Sequence, residues 1–504
     1  MAEILGLGRI SKKCISLDTI QKDLRIDNPE YLKRVMLGKY VPADIPRYLD
    51  FYYEDEEHYY VPRYYNSDVE KQLELGDKVD FSFDITLRDY QEKYFKDNGI
   101  LESKTGSFVM NLKTGNGKTV CGLYLINKLK RRTLIVCETR YLISQWVSRI
   151  KGFSGDGTKN IYNNIIINNK TTLETVLNND ISIITLKGYN SLNNLVKQGL
   201  AEHIGILVMD EGHRLGAKTF YPILEELPAK YRLLLTATFR RKDSMVDILR
   251  YSFGDVFSLP NQLPKAHLYF IRTGVRFTSL LPKEKFQNLA QVQREVESQS
   301  NYYNSKDYMA YNGKITKFAH ITTAKDRALV SKFQNNTHNV DLNKFLAQEQ
   351  SRRRKLISLI KKCVIAGRRV LVASPFLDLM YEVQKALPEI NTFVLDGDTN
   401  AKLTPEELEK VVEGKNVIFG SMKVVEEGMD LDWLDTLIVY LPKSDIEQLT
   451  GRTTRILPKK PIPRVYYFLD NIPFCFSMAK KCKEFDDNFT IRGTFEFSDI
   501  IKTI

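Results

Sequence analysis

The sequence predicts an α/β protein: two tandem lobes, each a doubly wound parallel sheet, behind a small leading domain. Two series of short apolar runs predict this, together with a length of 504 residues, enough for about three domains. The first series is FVMNL (108–112), TLIVC (133–137), ISIITL (181–186), GILVMD (205–210) and RLLLTA (232–237). The second is RRVLVAS (368–374), NTFVLDG (391–397), NVIFGS (416–421), TLIVYL (436–441) and RVYYFLD (464–470). Short, mostly apolar runs suit strands buried on both faces, as helix-covered parallel sheets require. Helical stretches separate them, among them Thr119 to Leu129 and Leu142 to Ile150, so each series reads as alternating βα units.

This gives three segments. Residues 1–80 form an accessory domain, 81–260 the first lobe and 261–504 the second. The stretch near 282–337 is rich in Gln, Asn, Ser, Tyr and Lys without a strand signal, and reads as an insertion in the second lobe. The leading segment carries RYLDFYYEDEEHYYVPRYY (47–65). Its aromatics can stack on bases. The stronger expectation is a small β core, because Glu54 to Glu57 would repel phosphate.

Composition is that of a globular chain, 43% hydrophobic and 27% charged. A net charge of +12, from 74 Lys+Arg against 62 Asp+Glu, points weakly to a polyanionic partner. The six cysteines form no CxxC pair and lack histidines at zinc spacing, which argues against a zinc or iron–sulfur site. The start lacks a signal-peptide apolar core, and no apolar run reaches the ~20 residues of a membrane helix. The expectation is a cytoplasmic protein, or one of the host cytoplasm if its source is viral.

The chemistry begins at KTGNGKT (113–119), between a strand and a helix. Gly115 and Gly117 allow a tight turn whose N–H groups face phosphate oxygens, with Thr114 and Asn116 in the same loop. The helix that follows favours an anion at its N-terminus. Lys118 is placed for β- and γ-phosphates, and the Thr119 hydroxyl for Mg²⁺. ATP and Mg²⁺ are therefore the expected cofactors. Leu112 stands where such loops usually carry Gly or Ala. Past the strand GILVMD, Asp210 is placed to hold Mg²⁺ and Glu211 to orient or deprotonate the attacking water.

With these two blocks the order of the remaining ones resembles helicase superfamily two, across about residues 87 to 470. LRDYQ (87–91) resembles the adenine-reading Q motif, with Gln91 on the base. ETRYLISQW (138–146) resembles the "PT…L…QW" block, with Glu138 in place of Pro. TLKGYNSL (185–192) resembles a block that touches the nucleic-acid backbone, here through Thr185. DEGHR resembles motif II, with His213 coupling ATP to nucleic acid. LTATFRRKD (235–243) resembles motif III, with Thr236 and Thr238 as coupling hydroxyls. GDT (397–399) and FGSMKVVEEGMDL (419–431) resemble the second-lobe turn and motif V. They imply backbone contacts at Thr399 and Ser421 and nucleotide contacts at Gly428 and Asp430. QLTGRTTR (448–455) resembles motif VI, with Gln448, Arg452 and Arg455 as catalytic candidates and the two arginines as fingers. Singly, each block has an ordinary reading as a turn, strand end or solvated basic face. Their fixed order defeats that reading.

The resemblance implies ATP held between RecA-like lobes and a motor that contacts mainly the phosphate backbone, independently of sequence and sensitive to salt. DEGH, TAT and TGRTTR depart from the DEAD-box RNA helicases. They look more like phage branch-migration helicases and the poxvirus transcript-release helicase. The expected function is an ATP-dependent DNA helicase on forked or branched DNA, in phage replication, recombination or repair. The alternatives are a double-stranded DNA translocase that does not separate strands, and an RNA or transcript-release helicase.

Overall fold

The computed structural model describes residues 6–36, 40–71, 73–103, 105–154, 166–212, 217–237, 239, 245–276, 339–397, 403, 405–427, 431–454, 460–483 and 489–504. The expected insertion at 282–337 lies outside them. The chain divides into two compact units, Met1–Gln262 and Leu263–Ile504.

The first unit opens with β1 (Gly8–Ser11), α1 (Leu17–Leu24), β2 (Arg25–Asp27), α2 (Pro29–Met36), β3 (Tyr48–Asp50), β4 (Tyr53–Glu54), β5 (His58–Val61) and β6 (Glu70–Lys71). The Ser16 side chain caps α1 by accepting the Thr19 N–H. An antiparallel sheet in the order β4-β5-β1-β6 forms, and β2 pairs with β3. Tyr59 and Val61 face inward along β5. The tyrosine-rich stretch thus builds a β core, the stronger of its two expectations.

That core continues into the parallel sheet. Leu7, Ile10, Ile20, Phe51 and Val61 belong to the same apolar cluster as Val109, Leu134, Leu207 and Leu234. Two buried arginines also join the segments. Arg63 donates to the carbonyls of Gly6 at 2.9 Å and Ala229 at 2.7 Å. Arg232 donates to Gly6, Leu224 and Leu227 at 2.6–2.7 Å. Burial lowers both guanidinium pKa values, Arg232 to about 10.

The rest of the unit is α3 (Asp89–Asp97), β7 (Phe108–Leu112), α4 (Lys118–Leu129), β8 (Thr133–Cys137), α5 (Arg140–Phe153), α6 (Leu173–Leu177), β9 (Ile181–Thr185), α7 (Tyr189–Val196), α8 (Leu200–His203), β10 (Ile206–Asp210), α9 (Ala217–Glu226), β11 (Tyr231–Thr236), α10 (Met245–Phe253) and β12 (Asp255–Leu259). The strands form an all-parallel sheet in the order β12-β7-β11-β10-β8-β9. β8 and β10 are buried at every residue, in keeping with their largely apolar runs.

The second unit comprises β13 (Ala266–Arg276), α11 (Asn339–Gln348), α12 (Gln350–Ile365), β14 (Val370–Ser374), α13 (Leu377–Lys385), β15 (Thr392–Leu395), α14 (Pro405–Val412), β16 (Val417–Ser421), α15 (Met422–Glu427), β17 (Thr436–Val439), α16 (Glu447–Gly451), β18 (Arg464–Asn471), α17 (Pro473–Lys483), β19 (Phe489–Glu496) and α18 (Phe497–Thr503). Its sheet, in the order β15-β16-β14-β17-β18-β13-β19, is parallel at every pairing. The architecture is therefore two tandem parallel-sheet α/β lobes with a small sheet ahead of the first, as expected.

A buried ion pair holds this lobe near the end of β18. Arg352 Nε donates to Asp470 Oδ1 at 2.9 Å, and both side chains are 0% exposed. Thr273 Oγ1 donates to the same oxygen at 2.5 Å, and the guanidinium lies 4.2 Å from the Tyr440 ring centroid. α12, β13 and β18 thus converge on one carboxylate. Among the described residues no helix is long and apolar enough to cross a membrane.

Candidate nucleotide site

β7, β11 and β10 are consecutive in the first sheet, with Thr236 beside Asn111 and Asp210 beside Leu235. Parallel pairing brings the residues after β7 and β10 to the same carboxyl edge, where open α/β sheets bind ligands. Thr236, at the end of β11 between them, is fully buried.

The loop after β7 is shaped by two left-handed glycines, Gly115 at φ +88° and Gly117 at φ +84°. Gly117 also caps α4, so Lys118 and Thr119 occupy its first turn. Leu112 is fully buried at the end of β7. The unusual residue there therefore packs in the core. A Cβ on Gly117 would sit 2.4 Å from Gln91 Nε2. Gln91 is itself 2% exposed; its Nε2 donates to the Asn116 carbonyl at 2.9 Å, and its Oε1 accepts the Arg88 N–H. The side chain therefore braces the loop, and one amide hydrogen remains available among the described contacts. Asn116 is buried, and its Oδ1 accepts no hydrogen bond among the described residues.

Lys118 Nζ donates to Glu211 Oε1 at 2.7 Å, with both side chains mostly buried. Glu211 holds φ +51°, in the left-handed region that costs a non-glycine residue about 1–2 kcal/mol. Strain of this kind persists where the surroundings fix it, commonly at functional sites. Asp210 is 4% exposed. Its Oδ1 accepts the Glu211 N–H at 3.0 Å and its Oδ2 the Trp146 indole N–H at 2.8 Å. Burial lifts its carboxyl to about 6, the adjacent Glu211 adds to the rise, and Lys118 opposes it. No reading of the sequence assigned Trp146 a contact here. The two residues lie 64 positions apart, and the QW pair carries no mark of the partner.

These groups fit a magnesium nucleotide. A Cβ at Gly117 would displace Gln91, the helix N-terminus opens behind the loop, and a buried carboxylate is paired with neutral donors that leave lone pairs for a cation. Thr119 and Asp210 are the residues that would hold the metal. Gly117→Ala should impose the left-handed cost of about 1–2 kcal/mol and push Gln91 off the loop. The variant loop should relax from this shape in the free protein, and ATP affinity by equilibrium titration should fall about tenfold, the work of restoring the cradle on binding.

Thr185 ends β9 and Ser421 ends β16, where its Oγ accepts the Val424 N–H at 3.4 Å. Gln448 lies within α16. Arg452 follows that helix, 9% exposed, with Nε donating to the Val425 carbonyl at 3.1 Å. His213, Thr238, Thr399, Gly428, Asp430 and Arg455 lie outside the described residues.

The chain is similar to known proteins over much of its length. Residues 84–241 match the family described as the res subunit of type III restriction enzymes, and residues 351–457 match the helicase conserved C-terminal domain. A putative ATP-dependent RNA helicase of Acanthamoeba polyphaga mimivirus is 24% identical over 94% of this chain and 82% of its own length. A DNA 3'-5' translocase XPB2 of Sulfurisphaera tokodaii is 25% identical over 82% of this chain and 87% of its own length. A probable helicase of Escherichia phage T5 is 24% identical over 73% and 68%. Among solved structures, the Pyrococcus furiosus Hef helicase domain aligns over 76% of this chain and 95% of that domain, with TM-score 0.44 and 16% identity.

Proposed function

Because the chain is a helicase of superfamily two, an ATP-hydrolysing enzyme, we propose that it moves along DNA and opens or branch-migrates forked and junction substrates. The observation that carries the ATPase part of this reading is the Lys118–Glu211 pair beside Asp210 at one sheet edge; the motor part rests on the two helicase-family matches. In this reading Lys118 and the loop amides from Thr114 to Thr119 take the phosphates, and the remaining Gln91 amide hydrogen takes the base. Glu211 orients the attacking water. Arg452 and Arg455, with Gln448, supply positive charge for the transition state, and Gly428 and Asp430 contact the nucleotide. Bound at Thr119 and Asp210, magnesium supplies charge neutralisation on the phosphates. His213, Thr236 and Thr238 couple the site to nucleic acid, which Thr185, Thr399 and Ser421 grip by its backbone.

The choice of DNA rests on the motif variants and on the relative named as a DNA translocase. A second reading, RNA, is favoured by the mimivirus relative named as an RNA helicase. ATPase assays with single-stranded, duplex, forked and four-way-junction DNA beside matched RNA decide between them. Stimulation by branched DNA above RNA is the expected result; stimulation by RNA alone would establish the second reading. Triplex displacement without fork or junction unwinding would mark a translocase that leaves strands paired.

A further inference from the structure

We infer that Trp146 is a positioning residue for the metal: its indole N–H fixes Asp210 Oδ2 and thereby sets magnesium affinity. The inference rests on the proposed role of Asp210 as a magnesium ligand. It deepens that role by naming the group that aims the carboxylate.

Trp146 lies on α5, whose first turn is fixed by the Thr139 side chain accepting the Leu142 N–H at 3.3 Å. The ring is 1% exposed. A Cβ on Gly122 of α4 would sit 3.2 Å from indole Cη2 and 3.1 Å from Leu235 Cδ1. The indole is therefore wedged between the phosphate-loop helix and the sheet, with little freedom to turn. Its one polar atom points at Asp210, 2.8 Å away. Leaving that N–H unpaired in this setting would be costly, so ring and carboxylate hold each other.

An indole suits the task because it is a neutral donor. A lysine or arginine there would cancel the charge a cation needs. The indole orients one carboxylate oxygen while the Glu211 N–H orients the other, and the ion's charge stays intact. Removing outer-shell hydrogen bonds of this kind typically costs about 10–100-fold in metal affinity.

The test uses the full chain. Its two tryptophans are Trp146 and Trp433, so Trp433→Phe leaves Trp146 as sole reporter. Magnesium added with ADP should change its emission, and the half-saturating concentration gives the affinity without turnover. Trp146→Phe is read separately, by magnesium titration of ATPase activity. It should raise the magnesium needed for half-maximal rate about tenfold, with turnover restored at saturating magnesium. Benzothienylalanine at position 146 keeps the ring shape and lacks the N–H. It should reproduce the Trp146→Phe shift, and it stands in if Phe unfolds the lobe. Lowered turnover with unchanged magnesium dependence in both variants would overturn the inference and leave Trp146 as packing only. Asp210→Asn separates the two levels. Wild-type magnesium dependence in that variant would remove Asp210 as a ligand, and the inference with it.

Discussion

Glu211→Gln should slow ATP turnover by about a hundredfold or more while ATP binding is kept or tightened. The loss follows from removing the group assigned to orient and deprotonate water. The retained binding follows from geometry. Glu211 Oε1 holds Lys118 Nζ at 2.7 Å, so incoming phosphates must compete with a carboxylate for that ammonium. A neutral amide is a weaker competitor, because charge-assisted hydrogen bonds are roughly twice as strong as neutral ones. Single-turnover hydrolysis read beside equilibrium nucleotide titration separates the effects. Wild-type hydrolysis would remove Glu211 from its role; weakened ATP binding would mean that the Glu211 contact does not compete with phosphate for Lys118.

Arg352→Ala should destabilise the second lobe by about 3–5 kcal/mol, the usual cost of stranding one partner of a buried ion pair. Asp470 is 0% exposed and, among the described residues, would keep only the Thr273 hydroxyl and the weak Cys475 thiol as side-chain donors. Arg352→Ala also removes the guanidinium from the Tyr440 and Phe468 rings. Hydrogen exchange is the discriminating measurement. Protection should fall in β14 and β17 and stay unchanged in β7 and β10, because the two units have separate cores. Pairing Arg352→Met with Asp470→Leu should recover much of the loss, since apolar replacements of both partners are commonly neutral. Equal loss of protection in both units would contradict the separate cores.

Much of this was legible in the sequence, for a physical reason. Strands buried on both faces must be mostly apolar, so β7, β8, β10, β14 and β17 announce themselves. β12 and β19 do not. They sit at sheet edges with mixed exposure, and DVFSL and FTIRGTFE read as ordinary surface sequence. β13, one strand in from the edge, is equally hard to read, because its apolar run is short and ends in the polar RTGVR. At the site, the loop and the acidic pair are local signals, each within a few residues. The braces are not: Gln91 reaches Asn116 across 25 positions, and Arg63 reaches Ala229 across 166. Contacts of that separation leave no pattern in a single sequence.

The place of β13 has a consequence for biosynthesis. The strand opens the second unit, yet its neighbours come from the end of the chain: His267 pairs with Arg464 on one side and Thr490 on the other. At ribosomal rates of about 5–20 residues per second, β13 waits roughly 10–40 seconds before its first partner is made. Throughout that interval the Leu268–Ile271 segment is an unpaired edge, the kind of template on which nascent chains aggregate. Soluble yield of the full chain should therefore depend on translation speed and on chaperones that shield strands, more than the finished lobe's parallel sheet would suggest.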